Sequence, residues 1–435
     1  MTTYEPVDTG DVQAPRDNSA VEDGPAYKKG YRRALTALAM GWGLDGFDHT
    51  MFALALGAIM TSLGVSVGLG GTISTISLLA SAVGGMFGGV LADRFGRARV
   101  LVWVIIGFSV FTALTATAQN IEQLMVWRVL EGLCFGAEWP VGVTLLSEYA
   151  KPAKRGRVMA FMQSAYSIGW ACSTIAYFAV FSLFDPDVAW RVLFAIGILP
   201  AAAVLFVRRN VSDRAEVRTV PAESSNPFTA LREIFRPGLR KTTIISTLFL
   251  VGGHGNYYAV ISFLPLYLST ERGLAVAGTA TFLLVQILGG FLGYVGSGFF
   301  HDRFGRRPTQ TGAYLLSVAS MVALISIPTT SLAIGYLLIF LVGMCVSSCA
   351  GGLGAILSEQ YPTRVRGAGV GWAYNVGRGI ASFGPMLIGF MATGFGLGNS
   401  IMVVGIALAV LATAMLWMLP ETRGKDILDD LETSV

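Results

Sequence analysis

The sequence predicts an all-α membrane protein whose twelve transmembrane helices form two six-helix bundles related by pseudo-twofold symmetry. Of the 435 residues, 53% are hydrophobic and 13% are charged, whereas a soluble chain carries about 25% charged residues. About twelve apolar runs are long enough to cross a bilayer, which takes roughly 20 helical residues. Two motifs occur once in each half of the chain, and this pattern indicates a duplicated six-span unit.

The apolar runs divide the chain into five parts. In the first half they fall near residues 34–61, 70–91, 99–118, 121–148, 157–183 and 189–207, and in the second half near 243–270, 277–300, 310–328, 331–357, 366–392 and 397–419. The predicted parts are an acidic tail (1–33), an N-terminal bundle (34–207), a polar and basic linker (208–242), a C-terminal bundle (243–419) and a C-terminal tail (420–435).

The distribution of Lys and Arg predicts the orientation. The loops after spans two, four, eight and ten hold Arg94, Arg97 and Arg99; Lys151, Lys154, Arg155 and Arg157; Arg303, Arg306 and Arg307; Arg364 and Arg366. The alternate loops hold few, with Arg191 and Arg272 as the main exceptions. By the positive-inside rule, both termini and the linker lie in the cytoplasm and the protein is a multi-pass protein of the cell (inner) membrane.

The internal repeat is visible in the sequence itself. Asp-Arg-Phe-Gly-Arg at 93–97 recurs at 302–306, an offset of 209 residues (302 − 93). A Ser-Glu pair ending at Glu148 recurs at Glu359, an offset of 211 (359 − 148), and each pair is followed by Arg-Gly. Repeats in the same direction predict two halves related by an axis along the membrane normal, with the transport path between them.

The first span carries ionisable groups near its middle. Asp45, Asp48 and His49 lie at i, i+3 and i+4, so they share one face of a helix. Ionisable groups at that depth cost several kcal/mol unless they are paired, protonated or wetted, and they mark an ion or substrate path. The alternative is a buried acid pair that only joins helices.

Several motifs resemble those of a known family. Residues 89–97 resemble the signature loop between the second and third helices of the major facilitator superfamily, and residues 298–307 are its second-half copy. More narrowly, the chain resembles the proton-coupled aromatic-acid and sialate/organic-acid symporters. The motifs behind this are Asp45-Gly-Phe-Asp48, Gly136-Ala-Glu138-Trp139, Gly377-Arg378-Gly379 and the Pro-Glu-Thr-Arg-Gly-Lys sequence at 420–425. Sugar porters share the last motif, but the motif that they carry after span six is absent at 208–213.

The resemblance implies a secondary active transporter that imports a small aromatic or carboxylic acid by proton symport through alternating access. A proton-coupled sugar or polyol symporter is the alternative, followed by a drug:proton antiporter. The predicted proton-coupling residues are Asp45, Asp48, His49, Arg128 and Glu131. The resemblance pairs Asp48 with Arg128, while a local salt bridge between Arg128 and Glu131 remains open because the two are three residues apart.

The substrate is predicted to be an organic anion held near the middle of the membrane. Arg378 offers a planar fork that matches a carboxylate, and Asn375 and Tyr374 share its helix face. Span seven contains Gly-Gly-His-Gly-Asn-Tyr-Tyr at 252–258, which we expect to break the helix and to line the path. The other predicted lining residues are His254, Asn256, Gln163, Tyr166, Gln286 and Glu138.

Charged residues at the basic ends of the spans are predicted to gate the path by ion pairs that form and break. These residues are Asp93, Arg97, Glu148, Arg155, Asp302, Arg306, Glu359 and Arg366. Their alternative role is to set the topology alone.

Other function classes lack their sequence features. The chain has no phosphate-cradling Gly-rich motif and no His-Glu-x-x-His pattern, so we predict that it is neither an enzyme nor an ATP-driven pump. We expect no cofactor and no metal ion, with the proton as coupling ion. Since no basic patch is interleaved with aromatic residues, we expect no nucleic-acid partner. The expected partners are the organic anion, protons and the lipid bilayer, and we expect a monomer.

Overall fold

The computed structural model describes residues 25–95, 97–149, 155–199, 231–327, 331–362 and 365–422, although some side chains within these ranges are not described. These residues form fourteen helices of seven residues or more. The helices are α1 (Pro25–Leu63), α2 (Val67–Phe95), α3 (Arg97–Thr115), α4 (Ile121–Tyr149), α5 (Arg155–Leu183), α6 (Pro186–Ile196), α7 (Arg240–Ile261), α8 (Leu264–Thr270), α9 (Val276–Phe304), α10 (Arg306–Ser326), α11 (Leu332–Ser358), α12 (Arg366–Ala381), α13 (Phe383–Phe395) and α14 (Leu397–Met418).

Two of the predicted spans are broken helices. Span seven consists of α7 and α8, and span eleven consists of α12 and α13. Counted this way, the described helices correspond to the twelve predicted spans. Seven segments in the described part are long and apolar enough to cross a membrane on their own composition, so the count of twelve crossings remains a prediction.

The break in span seven does not lie where the sequence suggested. The glycine-rich stretch 252–255 is continuous helix within α7, and the break comes later, at Ser262 and Phe263, just before Pro265 in the first turn of α8. Proline lacks an amide hydrogen and starts a helix readily. A Cβ on Gly252 would meet the backbone of α14 at Ala412, so this glycine serves the close packing of two helices.

The helices pack as two groups that repeat the same contacts. In the first half α2 packs on α4, and in the second half α9 packs on α11. A Cβ on Gly84 would collide with the Leu133 carbonyl, and a Cβ on Gly293 would collide with the Met344 carbonyl. Their offset (293 − 84 = 209) equals that of the first sequence motif, so the duplication extends to helix packing. Most of the predicted linker lies outside the described residues, and its boundaries stay a prediction.

The two halves contact each other through α5 with α9 and through α2 with α12 and α13. We call the membrane face that carries Arg303, Arg306 and Arg366 the basic face, and the other the opposite face. The Thr75 hydroxyl donates to the Ser382 carbonyl at 2.6 Å. Both residues lie in the part of the interface nearer the opposite face, so the halves are joined there.

The two exceptions to the positive-inside pattern have a structural explanation. The Arg191 guanidinium donates to the carbonyls of Ala116 and Ala118 at 2.9 and 2.6 Å, just beyond the C-terminal end of α3. Arg272 donates to the carbonyls of Leu324, Ile325 and Ile327 at the C-terminal end of α10. A cation at the C-terminal end of a helix satisfies the last carbonyl groups, which have no partner within the helix, and it interacts favourably with the helix dipole. Both arginines therefore cap helices.

Substituting Gly293 by valine should prevent correct packing of α9 on α11, because the added Cβ has no space against the Met344 backbone. We expect little folded protein in membranes, measured by fluorescence-detected size-exclusion chromatography. The control is Gly296→Val in the same helix, whose nearest neighbour would be the Phe300 side chain at 3.7 Å. Equal yields of both variants would contradict this packing account.

Replacing Arg272 by alanine should lower the stability by about 1–3 kcal/mol, the usual cost of leaving buried acceptors without donors. The measurement is the thermal unfolding midpoint in detergent. The exposed Arg303 provides the control, and its alanine variant should unfold at the wild-type temperature. An unchanged midpoint for Arg272→Ala would mean that water replaces the guanidinium at no cost.

Candidate functional site

The predicted acids of α1 are fully buried inside the molecule. Asp45 and Asp48 have no exposed surface, and both lie in the stretch of α1 that packs against α5. Asp45 lies within electrostatic range of the Tyr166 and Tyr374 hydroxyls, which come from opposite halves. Asp45 therefore lies near the interface between the halves, whereas the charged neighbours of Asp48 are within the N-terminal half. The role of both acids in a path through the protein stays a prediction.

A buried charge network joins α1, α2 and α4. Arg128 forms an ion pair with Glu131, with 3.3 Å between Nη1 and Oε2. Ser77 accepts from Arg128 Nη2 at 3.3 Å and donates to Glu131 Oε2 at 3.2 Å. Asp48 lies within electrostatic range of both partners. Arg128 thus pairs directly with Glu131, which is the local salt bridge that the sequence analysis kept as an alternative. Asp48 completes a group of two carboxylates around one guanidinium.

Arg378 lies on α12 and reaches across to the other half. Its Nη2 donates to the Ser81 carbonyl of α2 at 2.9 Å and to Asn375 Oδ1 at 3.2 Å. The guanidinium carbon lies 5.7 Å from the Phe135 ring centre and 5.5 Å from that of Tyr374. Its Nε has no hydrogen-bond partner, and within the described part of the chain no carboxylate pairs with it. A buried cation with an unused donor is suited to an anionic ligand.

Aromatic rings surround this cation. His49 stacks on Phe135 at 5.5 Å and lies 6.1 Å from Tyr258. His254 contacts the Tyr374 ring edge-on at 4.6 Å and stacks on Tyr258 at 6.0 Å. These rings come from α1, α4, α7 and α12, so both halves build the same aromatic group. Flat apolar walls around a guanidinium favour a small planar acid.

A small cavity, with room for about one water molecule, lies beside this group on the side nearer the opposite face. It is lined by His49, Phe52, Ala53, Ser74, Ser77, Leu78, Arg128, Ile261 and Ser262. The last two residues are at the break between α7 and α8, so the broken helix forms part of the wall. Broken helices next to a central site are a recurring feature of transporters.

Some predicted lining residues lie elsewhere. Asn256 donates from Nδ2 to the Gly405 carbonyl at 3.2 Å and accepts from the Ser317 hydroxyl at 3.3 Å. Both partners are on outer helices of the C-terminal half, so Asn256 faces away from the interface and joins helices instead. Gln286 is buried against Gly343 of α11, also within one half.

Tyr166 and Gln163 both lie on α5. Tyr166 contacts Trp42 of α1 at 5.7 Å and Tyr257 of α7 at 6.4 Å, so it contacts both halves, and its role as a lining residue stays a prediction. Gln163 is half-buried one turn before it.

Five predicted side chains lie outside the described part of the structure. They are Asp93, Arg97, Glu138, Glu148 and Arg155. Their roles in gating and substrate binding stay predictions.

The second-half copy of the gating motif forms an ion-pair network at the basic face. Arg306 contacts Glu359 through two hydrogen bonds, at 2.8 and 3.1 Å, and Asp302 at 3.0 Å. Glu421 accepts from the backbone amides of Arg306 and Arg307 at 2.8 Å each, at the start of α10. These bonds join elements of one half, so they brace the C-terminal bundle rather than link it to its neighbour.

Arg366 is the remaining predicted gating residue in the described part. Its Nε donates to the Tyr361 carbonyl at 3.3 Å, in the loop that precedes α12.

The sequence analysis did not single out Phe135, and it named Tyr258 only as part of the 252–258 stretch. Both rings are central to the site because they contact His49. No sequence signal distinguishes Phe135 from the apolar residues that face lipid. Tyr258 could have been identified, since it lies one turn after His254 and hence on the same helix face.

Comparisons with known proteins show the family of this chain. Residues 38–385 match the sequence profile of the Major Facilitator Superfamily. The chain is 35% identical to a probable 4-methylmuconolactone transporter of Cupriavidus pinatubonensis, over 92% of this chain and 93% of that protein. It is 29% identical to the cis,cis-muconate transport protein of Acinetobacter baylyi, over 84% of this chain and 88% of that protein.

A solved structure shows the same fold. The crystal structure of a D-xylose-proton symporter matches with a TM-score of 0.72 at 18% identity, over 90% of this chain and 99% of that chain. Since this identity is low, the match shows the architecture alone. With the profile covering most of the chain, these findings show that the chain is a transporter and belongs to the Major Facilitator Superfamily.

Proposed function

We propose that this transporter imports a small planar organic acid together with protons, and that Arg378 binds the carboxylate of that acid. The observation that carries this proposal is the buried Arg378 guanidinium between the rings of Phe135 and Tyr374, with its Nε unpartnered. The relatives named above, a probable 4-methylmuconolactone transporter and a cis,cis-muconate transport protein, support the choice of an organic acid.

Charge balance supports proton symport. Among the described residues, the centre holds the carboxyl groups of Asp45, Asp48 and Glu131 and the guanidinium groups of Arg128 and Arg378. When all are ionised, one negative charge is in excess. An entering organic anion would add another, which is costly in a low-dielectric interior. Protonation of these acids offsets that cost, so proton and anion should move together.

The sugar and drug alternatives have less support. A sugar is neutral and does not need a buried guanidinium, and the similarity to the xylose symporter concerns the fold. A cationic drug would be repelled by Arg378. We also propose that the transporter uses no bound cofactor, works as a monomer in the cell (inner) membrane, and has both termini in the cytoplasm, as the basic loops indicate.

Uptake should depend on a proton gradient. In proteoliposomes with an acidic exterior, we expect accumulation of radiolabelled cis,cis-muconate or benzoate, and a protonophore should abolish it. Liposomes without protein provide the control for passive diffusion of the neutral acids. Accumulation that persists undiminished after the gradient is collapsed would rule out proton symport.

Arg378 and Asp48 should have separable roles. Arg378→Ala should weaken binding of the acid by about 10- to 150-fold, because a charge-assisted hydrogen bond contributes about 1.5–3 kcal/mol. Asp48→Asn should keep binding and exchange of labelled acid but lose accumulation, since the variant lacks a proton site. Binding and counterflow assays measure the two properties. If both variants lose both activities equally, these residues support the fold and not the transport steps.

A further inference from the structure

A tryptophan and an arginine meet at the basic face, where α10 begins and α14 ends. The Arg307 guanidinium carbon lies 5.6 Å from the centre of the Trp417 ring, and its Nη2 donates to the Trp417 carbonyl at 3.1 Å. The Trp417 indole nitrogen donates to the Thr311 hydroxyl at 3.0 Å, so the ring is held across the contact between α10 and α14. Trp417 is nevertheless 55% exposed. An exposed tryptophan at a helix end is typical of the boundary between lipid headgroups and acyl chains.

The Arg307 side chain carries a positive charge that no carboxylate compensates among the described residues. Its neighbour Arg306 forms ion pairs with two acids, whereas the Arg307 guanidinium donates only to the neutral Trp417 carbonyl, and its Nε has no hydrogen-bond partner. Glu421 accepts from the Arg307 backbone amide and not from the side chain. Capping α14 therefore uses one donor of the guanidinium, and the other donors remain for an anion.

An apolar surface continues from this pair towards the middle of the membrane. On α10 the exposed Leu315 follows Thr311 by one turn, and on α14 the exposed Val410 precedes Trp417 by two turns. Residues at these spacings share a helix face, so Leu315 and Val410 flank the contact between the two helices. Leu315 follows Arg307 by eight residues (315 − 307), which is about 12 Å along the helix. We call these five residues the α10–α14 surface.

We propose that the α10–α14 surface binds one anionic phospholipid, whose phosphate contacts Arg307 beside the Trp417 ring and whose acyl chain lies along Leu315 and Val410. A phospholipid carries its phosphate above its acyl chains, which is the order in which this surface presents a guanidinium and then apolar side chains. Basic sites between helices at the membrane boundary suit anionic headgroups. Because the surface is part of the lipid-facing perimeter, the bilayer itself supplies this ligand.

The charges around the start of α10 favour an anionic headgroup over a zwitterionic one. The headgroup cation of a zwitterionic lipid needs a carboxylate as its partner, but the described carboxylates here already have partners. Asp302 and Glu359 pair with Arg306, and Glu421 accepts from the backbone amides that begin α10. A choline group next to Arg307 would therefore meet a cation without gaining a partner.

The experiment measures lipid binding to the purified, full-length protein by native mass spectrometry. Wild type should retain one phosphatidylglycerol in preference to phosphatidylcholine with the same acyl chains. Arg307→Ala should weaken the binding of phosphatidylglycerol by about 5- to 10-fold, because it removes a cation from the headgroup. The matched control is Arg303→Ala, which removes the same charge from an exposed side chain that lies over Phe304 of α9. It should change the binding by less than about 2-fold.

A second pair of variants tests the same surface without touching a charge. Trp417→Leu keeps the backbone carbonyl that Arg307 caps but removes the ring that holds the guanidinium, so it should weaken binding by about 3-fold. The matched control is Trp103→Leu on α3, another exposed tryptophan, which should leave binding unchanged. Thermal unfolding without added lipid shows whether each variant is folded. If Arg307→Ala does not fold, the two tryptophan variants decide.

Three results would overturn the lipid site. Equal retention of both lipids by wild type would mean that the headgroup charge is not recognised. Equal losses in Arg307→Ala and Arg303→Ala, or in the two tryptophan variants, would mean that lipid binds this face without a defined site. Displacement of phosphatidylglycerol by inorganic phosphate alone would mean that Arg307 binds a free anion. Proton-driven uptake is measured separately, so the proposed function does not depend on these results.

Discussion

The structure depends on holding opposite charges at one buried point between two halves. Removing an ion from water costs several kcal/mol unless partners compensate. Among the described residues, the Arg128 guanidinium and the carboxyl groups of Glu131 and Asp48 compensate one another, whereas Arg378 donates to the Ser81 carbonyl and to Asn375 Oδ1. Among the described residues of the centre, the carboxyl groups of Asp45, Asp48 and Glu131 exceed the guanidiniums of Arg128 and Arg378 by one. In the function proposed above, protonation of these acids offsets the charge of an entering anion, so charge balance alone would couple the anion to protons.

This arrangement requires helices that approach closely and in a fixed register. Gly84 and Gly293 let α2 and α9 contact the backbones of α4 and α11, and their offset of 209 residues (293 − 84) repeats that of the sequence motif. The contact between α2 and α4 places Ser77 beside Arg128 and Glu131. Lipid offers helices little hydrophobic drive to associate, so they associate through the close packing that small residues permit. This packing sets the positions of the charged side chains.

The sequence predicted the helices and the ionisable groups well because both are strong signals in an apolar chain. An arginine or aspartate within 20 apolar residues is costly and therefore conspicuous, as Arg378 and Asp48 were. Which way a buried helix faces was harder to predict, since a helix covered on all sides shows little amphipathic pattern. Asn256 was assigned to the path for that reason, although its amide bonds to outer helices. Likewise, spacing could not decide whether Arg128 pairs with Asp48 or Glu131, because both were within reach.

The two halves divide the chemistry between them. The N-terminal half carries the acids and Arg128, whereas the C-terminal half contributes Arg378, whose guanidinium donates across the interface to the Ser81 carbonyl. In the function proposed above, a carboxylate that binds the unused Nε of Arg378 would lie beside Nη2 and would compete with the Ser81 carbonyl for that donor. A ligand shifts a conformational equilibrium only by its different affinity for the two states. The bond from Arg378 to the Ser81 carbonyl joins the two halves. An anion that takes over this donor would therefore favour conformations in which the bond is absent. Under this proposal, Arg378 links substrate recognition to alternating access.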